Sequence, residues 1–293
     1  MRSNLWITNV SAVLMLLCEF STISQAQEFP VSTSNTNVGY IDSATIANRF
    51  RIRCDAGYNM SPADRAEFFY AGGPSGTRPS DVDFQELDGY LELARNDWLS
   101  GFVEAPLRFI NPELAANSSG VADINLGLKA VLWADHQSCT TFQFRTYLPT
   151  GDDNRRLGTG NVNIEPGVLQ YFRVNDRWLL ENEFKTWIPL TNNGFAGTVL
   201  RYGAGISYNN RRVGRDRPSV SPVLEIVGWS VLDGLATVDT GTVRSAAGDT
   251  IVNAKLGLRT NYRASQLYAG FGQALTTQHW YEQLFRIEYR VQF

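Results

Sequence analysis

The sequence predicts an all-β chain closed into an antiparallel transmembrane β-barrel of about twelve strands. Three observations carry this. The last ten residues, Leu284 to Phe293, alternate without error, with Phe285, Ile287, Tyr289, Val291 and Phe293 on one face and Arg286, Glu288, Arg290 and Gln292 on the other. A period of two marks a strand with one apolar and one polar side. The pattern recurs along the chain, and no useful length shows the i, i+3, i+4 period of an amphipathic helix. Finally, the N-terminus reads as an export signal.

That signal is built from Arg2 as a positive n-region, the apolar run Val10 to Cys18, and Ser24-Gln25-Ala26 as a small-x-small cleavage site before Gln27. It is too short to span a bilayer, and the bulky Leu17 before Cys18 argues against a lipoprotein. Residues 1–26 are therefore expected to be a cleaved signal peptide. Residues 27–46 are rich in Ser, Thr and Asn with no clean period. They are expected to be a periplasmic leader, or else a segment folded into the barrel mouth; residues 47–293 are the barrel.

The strands follow in order. Phe50, Ile52, Cys54, Ala56 and Tyr58 alternate with Arg49, Arg51, Arg53 and Asp55, and three arginines on one face belong in a wet lumen rather than against lipid. A loop rich in Gly and Pro, Ser61 to Ser80, leads to a second and least regular strand, Val82 to Arg95. The third, Phe102 to Ile110, sets Val103, Ala105, Leu107 and Phe109 opposite Glu104 and Arg108. In the fourth, Ile124, Leu126, Leu128, Ala130 and Leu132 face away from Asp123, Asn125, Gly127 and Lys129. Further strands are expected at Phe142–Leu148, Val162–Phe172, Trp178–Ile188, Val199–Asn209, Pro222–Leu232, Thr250–Thr260, Gln266–Leu275 and the terminal segment.

Connections beginning near Met60, Asn111, Pro149, Pro189, Asp233 and Thr276 are mostly long. Those at Asn96, Ala134, Arg173 and Asn261 are short, with the basic stretch Asn210 to Ser219 the exception. Short periplasmic turns, long outer loops, strands of ~10 residues and an even count are the marks of an outer-membrane barrel. The polar faces also carry glycines (Gly127, Gly203, Gly205, Gly257, Gly270, Gly272) among opposite charges, which suits a crowded lumen. Tyr58, Trp133, Trp178, Trp187, Tyr208 and Tyr281 lie near strand ends and are expected in the interfacial girdles. Closure removes the unpaired edges that an open sheet would expose.

Several segments carry a family resemblance: Gly120 to Lys129 (G-V-A-D-I-N-L-G-L-K), Tyr147 to Asp152 (Y-L-P-T-G-D) and Gly158 to Leu169 (G-T-G-N-V-N-I-E-P-G-V-L). In sequence and order they resemble the outer-membrane proteins described as meta-pathway phenol-degradation-like, transporters encoded with aromatic-degradation genes. The terminal strand resembles those with which bacterial outer-membrane barrels end. The resemblance implies uptake of small molecules, aromatic or hydrophobic compounds among them, and carries over no catalytic residue. It implies Phe285, Tyr289 and Phe293 as an assembly signal read by the outer-membrane assembly machinery.

The candidate functional residues are the charges of the polar faces. They are Arg49, Arg51, Arg53, Asp123, Lys129, Arg145, Glu165, Glu181, Glu183, Lys185, Arg201, Glu225, Lys255, Arg259, Arg286, Glu288 and Arg290. Two readings stay open: they line a passage, or they pair into ladders that fill the barrel. A net charge of −3 argues against nucleic acid as a partner. The expected partners are outer-membrane lipid and lipopolysaccharide, the assembly machinery and a small-molecule solute. No cofactor or metal is expected, since Cys54 and Cys139 form no C-x-x-C or Cys/His cluster, and they read as two unpaired thiols. The Asp152-Asp153 loop lacks calcium-loop spacing and reads as a solvated hairpin. A hydrolase is not expected: His136 falls in a short turn and His279 in an outer loop without a neighbouring serine.

Overall fold

The computed structural model describes residues 36–60, 82–113, 116–191, 195–209, 218–237, 243–277 and 279–293. The expected signal peptide, the Ser61 to Ser80 loop and most of the basic connection after Asn209 lie outside the described residues. The strands are β1 (Arg49–Met60), β2 (Val82–Ala94), β3 (Leu99–Pro112), β4 (Ser118–Val121), β5 (Asn125–Ala134), β6 (Ser138–Tyr147), β7 (Asn163–Arg173) and β8 (Trp178–Pro189). They continue with β9 (Val199–Tyr208), β10 (Ser219–Val231), β11 (Leu235–Thr237), β12 (Val243–Ser245), β13 (Thr250–Tyr262), β14 (Ser265–Ala274) and β15 (Gln283–Gln292).

Twelve of these form one antiparallel ring, β1-β2-β3-β5-β6-β7-β8-β9-β10-β13-β14-β15, and β15 returns to β1. The closing seam is in register from Arg49↔Gln292 to Tyr58↔Gln283. All twelve expected strands are present in the expected order. β4 is an added strip along the far end of β3, and β11 and β12 form a separate ribbon.

The connections sort by end. Asn96 to Trp98, Asp135 to Gln137, Val174 to Arg177 and Arg263-Ala264 are tight turns at the end where β1 begins and β15 finishes. Each is specified locally. Asn96 Oδ1 accepts the Trp98 and Leu99 N–H groups, and Asn175 Oδ1 accepts those of Arg177 and Trp178. Asp135 Oδ1 accepts Gln137 and Ser138 N–H at 2.7 Å each, and these two bonds hold its carboxyl below the ordinary range. Arg263 takes φ 54° to close its two-residue turn. By the rule that short turns face the periplasm, this is the periplasmic end and the long loops are outside.

The surface is inverted relative to that of a water-soluble protein. Ile52, Leu128, Phe184, Leu256 and Ile287 are 41%, 38%, 54%, 64% and 60% exposed, while Lys185, Glu225, Arg259 and Glu288 are wholly buried. Alternation on a closed sheet forces this choice of faces, because one side must meet hydrocarbon and the other the lumen. A bulge between Val131 and Trp133 puts Leu132 and Trp133 on the outside together. Cys54 faces outward and Cys139 inward, and both are free thiols.

The girdle expectation needs correction at two residues. Tyr58, Trp133 and Trp178 are exposed, and Tyr208 packs its ring 5.0 Å from Trp178 at the periplasmic end. Trp187 and Tyr281 are buried instead. Trp187 shares strand parity with Glu181, Glu183 and Lys185 and so points inward with them, while Tyr281 folds into the barrel from the loop before β15.

Candidate functional site: the lumen

Segment 36–46, part of the stretch expected to be either a leader or a segment folded into the barrel mouth, lies inside the barrel. Thr36, Asn37, Val38, Tyr40, Ile41, Ser43, Ala44 and Thr45 are all at most 6% exposed. A strandless segment in a barrel must find partners for its peptide groups in the wall. Glu225 Oε1 accepts Gly39 N–H and its Oε2 accepts Tyr40 N–H, both at 2.8 Å. Glu181 accepts the Thr36 hydroxyl and the Asn37 N–H, and Glu183 accepts the Asp42 N–H at 2.8 Å. Arginines satisfy the carbonyls: Arg259 donates to Asn37 and Val38, Arg290 to Val38, and Arg286 to Gly39.

The inward glycines make the space. A side chain at Gly205 would meet Val38 Cγ1 at 2.7 Å, and one at Gly203 would meet Ile41 Cγ2 at 2.5 Å. Farther round the wall, Gly257 and Gly270 leave room for the Tyr268 ring, which meets Tyr40 edge to face at 6.1 Å.

The polar faces converge into one main network and a smaller cluster about Glu92. Arg51 Nη2 donates to Glu104 at 2.6 Å, Arg145 joins Glu104 (3.1 Å) to Asp42 (3.0 Å), and Lys185 joins Asp42 (2.5 Å) to Glu183 (2.8 Å). Arg201 completes the run onto Glu183 at 2.9 Å. Arg53 bonds Asp88, and Arg108 bonds Glu86 at 2.6 Å. At the periplasmic end Glu92 receives Arg49 and Lys129, at 3.8 and 3.3 Å. On the far wall Glu288 receives Arg259 at 2.6 Å and Arg290 at 2.5 Å. Charges this deep are costly unless paired, and the interleaving of signs supplies these pairs.

Of the seventeen candidates, the strand charges all turn inward, but they do different work. Glu181 and Glu225 hold the backbone of the 36–46 segment, and Glu165 accepts the Tyr147 hydroxyl at 3.0 Å. Asp123, between β4 and β5, pins the outer loop through Gly151 N–H (3.0 Å), Thr159 N–H (2.8 Å) and the Thr159 hydroxyl (2.9 Å). Missing from the expected set are Asp42, Asp55, Glu86, Asp88, Glu92, Glu104 and Arg108. For β2 the signal was present: Leu87, Leu91 and Leu93 keep one parity and Glu86, Asp88 and Glu92 the other. Asp42 had no strand pattern to place it. Phe285, Tyr289 and Phe293 face outward, at 48%, 44% and 68% exposure.

Above the 36–46 segment, on its outer side, lies a cavity of about 140 Å³. Gly39, Tyr40, Ile41 and Asp42 contribute to its lining. One wall carries Arg51, Arg53, Glu86, Asp88, Glu104 and Arg145; the opposite wall carries Val227, Trp229, Lys255, Trp280, Tyr281 and Leu284. The Trp229 and Trp280 rings pack 4.5 Å apart. His279 lies in the outer loop with Nδ1 2.8 Å from the Thr277 carbonyl oxygen, and His136 lies in the periplasmic turn.

No family model and no curated protein matches the sequence. Among solved structures the chain is similar to an outer membrane channel from Pseudomonas putida F1, at 13% identity and TM-score 0.57, over 88% of this chain and 100% of that one. It is also similar to the NanC porin, at 8% identity and TM-score 0.50, over 83% of this chain and 98% of that one. At such identities the likeness speaks to the fold, and together with the inverted surface it makes the molecule an outer-membrane β-barrel.

Proposed function

We propose that the barrel is an outer-membrane channel for small solutes, including molecules with an aromatic or hydrophobic body. In this reading passage requires segment 36–46 to shift. The observation that carries it is the cavity of about 140 Å³ on the outer side of that segment, walled by ion-paired side chains on one side and by indole and phenol rings on the other. Twelve strands also place the barrel between eight-stranded forms filled by side chains and the wide porins of 16–18 strands, so the bore is narrow. The fold it shares with an outer membrane channel supports the same reading. Lipopolysaccharide and the assembly machinery remain its proposed partners in the membrane.

A second reading has its own observation: the ion-pair network and the 36–46 segment together fill much of the lumen, as they would in a closed structural barrel. Conductance of the purified protein in planar bilayers separates the two. A channel passes current, and neutralising Arg51 or Arg201, which line the cavity, moves ion selectivity towards cations, because fixed lumen charge sets the local counter-ion concentration. A silent wild type with no solute uptake in liposomes leaves the closed barrel.

A further inference from the structure

Among the described residues, inward-facing cations such as Arg51, Arg145, Lys185 and Arg259 pair with carboxylates, and Lys255 departs from that pattern. Lys255, on β13 and 4% exposed, makes no ion pair with any described residue. Its ammonium donates to the Tyr281 hydroxyl at 2.7 Å and stands 3.9 Å from the centre of the Tyr40 ring, with the Tyr281 and Trp229 rings at 5.3 and 5.7 Å. An ammonium has three N–H donors, and a hydroxyl and a ring face engage two. Beside it, the Tyr40 hydroxyl is buried and has no hydrogen-bond partner among the described residues. Both residues contribute to the cavity lining, with Trp229 and Trp280.

From this juxtaposition we infer that Lys255 and Tyr40 form a subsite for the carboxylate of a monocyclic aromatic acid, whose ring packs on Trp229 and Trp280. Its cross-strand neighbour Glu225 is engaged by the Gly39 and Tyr40 N–H groups, so an ammonium with no carboxylate within ion-pair distance among the described residues is the group a solute carboxylate would complete, and a neutral solute gains nothing from it. The Tyr40 hydroxyl supplies a second hydrogen bond to the same group. Size agrees: a cavity of ~150 Å³ is known to accept one benzene ring, and this one is about 140 Å³. The inference rests on the channel reading and names the solute class of its cavity.

The test uses the full chain purified in detergent micelles, titrated calorimetrically with benzoate, with benzyl alcohol (the ring without the charge) and with acetate (the charge without the ring). Saturable benzoate binding at least tenfold tighter than either control is expected. Lys255→Met should abolish that margin and Lys255→Arg should keep most of it. Trp229→Leu should bring benzoate down to the level of acetate while leaving Lys255 in place. Heat-modifiable migration checks that each variant is folded; should Lys255→Met not fold, the wild-type series and Trp229→Leu decide. Benzoate and benzyl alcohol binding alike, wild type not binding benzoate, or folded Lys255→Met binding like wild type would each overturn the inference. Binding in micelles needs no passage, so a silent channel that still selects benzoate would sink the transport reading alone.

Discussion

Arg286 on the last strand and Asp55 on the first are direct cross-strand partners, joined by two hydrogen bonds of 2.7 and 2.6 Å. This fork closes the barrel seam from inside. The same guanidinium donates to the Gly39 carbonyl and lies 4.2 Å from the Tyr40 ring centre, so seam and inner segment share one residue.

The two halves of that pair are not equivalent. Without Arg286, Asp55 keeps Arg53 Nε at 3.4 Å; without Asp55, Arg286 keeps a carbonyl and a ring but no carboxylate within ion-pair distance among the described residues. Asp55→Asn should therefore cost about 3–5 kcal/mol, the usual cost of stranding a buried charge, and Arg286→Met clearly less. Denaturant titration of the folded barrel in detergent, followed by heat-modifiable mobility, compares them. Equal losses, or none, would show that the seam does not depend on this fork.

On the outer face the sign of a substitution is reversed. Leu256 is 64% exposed at the middle of β13, where the neighbouring solvent is hydrocarbon. Leu256→Arg should cost roughly 2–4 kcal/mol, and the same change at Leu128 should act alike. Leu275, 61% exposed just beyond β14 at the loop end, should tolerate it at roughly 0–1 kcal/mol. Equilibrium folding into lipid vesicles measures all three; a Leu256 variant as stable as wild type would mean that this face is not in the bilayer.

Strand count, strand order and the ends at which connections lie could be read from the residues because a period of two has only two phases, and eleven ladders in one phase constrain the twelfth. Interior pairing could not be read so directly. Arg51 meets Glu104 across 53 positions of sequence, and Arg286 meets Gly39 across 247. Such partners follow from register and curvature, which alternation does not encode. The inner segment was the least legible part. Thr36 to Ile46 has no period because it is no strand and is held by its peptide groups as well as by side chains such as Asp42, and only the pattern of inward glycines on β9 hinted that something had to fit there. Trp187 shows the converse: composition suggested a girdle, but its parity with Lys185 placed it inside.

The terminal strand makes a prediction about biogenesis. β15 pairs with β14 on one side and β1 on the other, so no ring forms without it. Deleting residues 284–293 should leave no heat-modifiable barrel, and Phe293→Ala, which removes an outward aromatic that is 68% exposed, should lower outer-membrane levels through the proposed assembly signal. Quantifying both variants in the outer-membrane fraction checks this. Phe293→Ala at wild-type level would remove Phe293 from that signal, while the role of β15 in closure would stand or fall with the deletion.

The last prediction separates the inner segment from the wall. Gly205 faces the lumen, and a side chain there would meet Val38 at 2.7 Å and the Glu225 methylene at 3.1 Å. Gly205→Val adds no charge and breaks no ion pair, so its effect should be one of space alone. With the segment in place, the overpacking should cost about 1–3 kcal/mol or push Val38 away from the wall. Single-channel conductance should then rise above that of wild type. Glu225→Gln should act in the same direction by weakening the carboxylate that receives Gly39 and Tyr40. In a chain lacking residues 36–46 the Gly205→Val substitution should cost clearly less, because Val38 is gone and only the flexible Glu225 side chain is left to give way. If it destabilises both backgrounds equally, Gly205 serves the strand rather than the segment, and the reading of β9 as the seat of an inner segment fails.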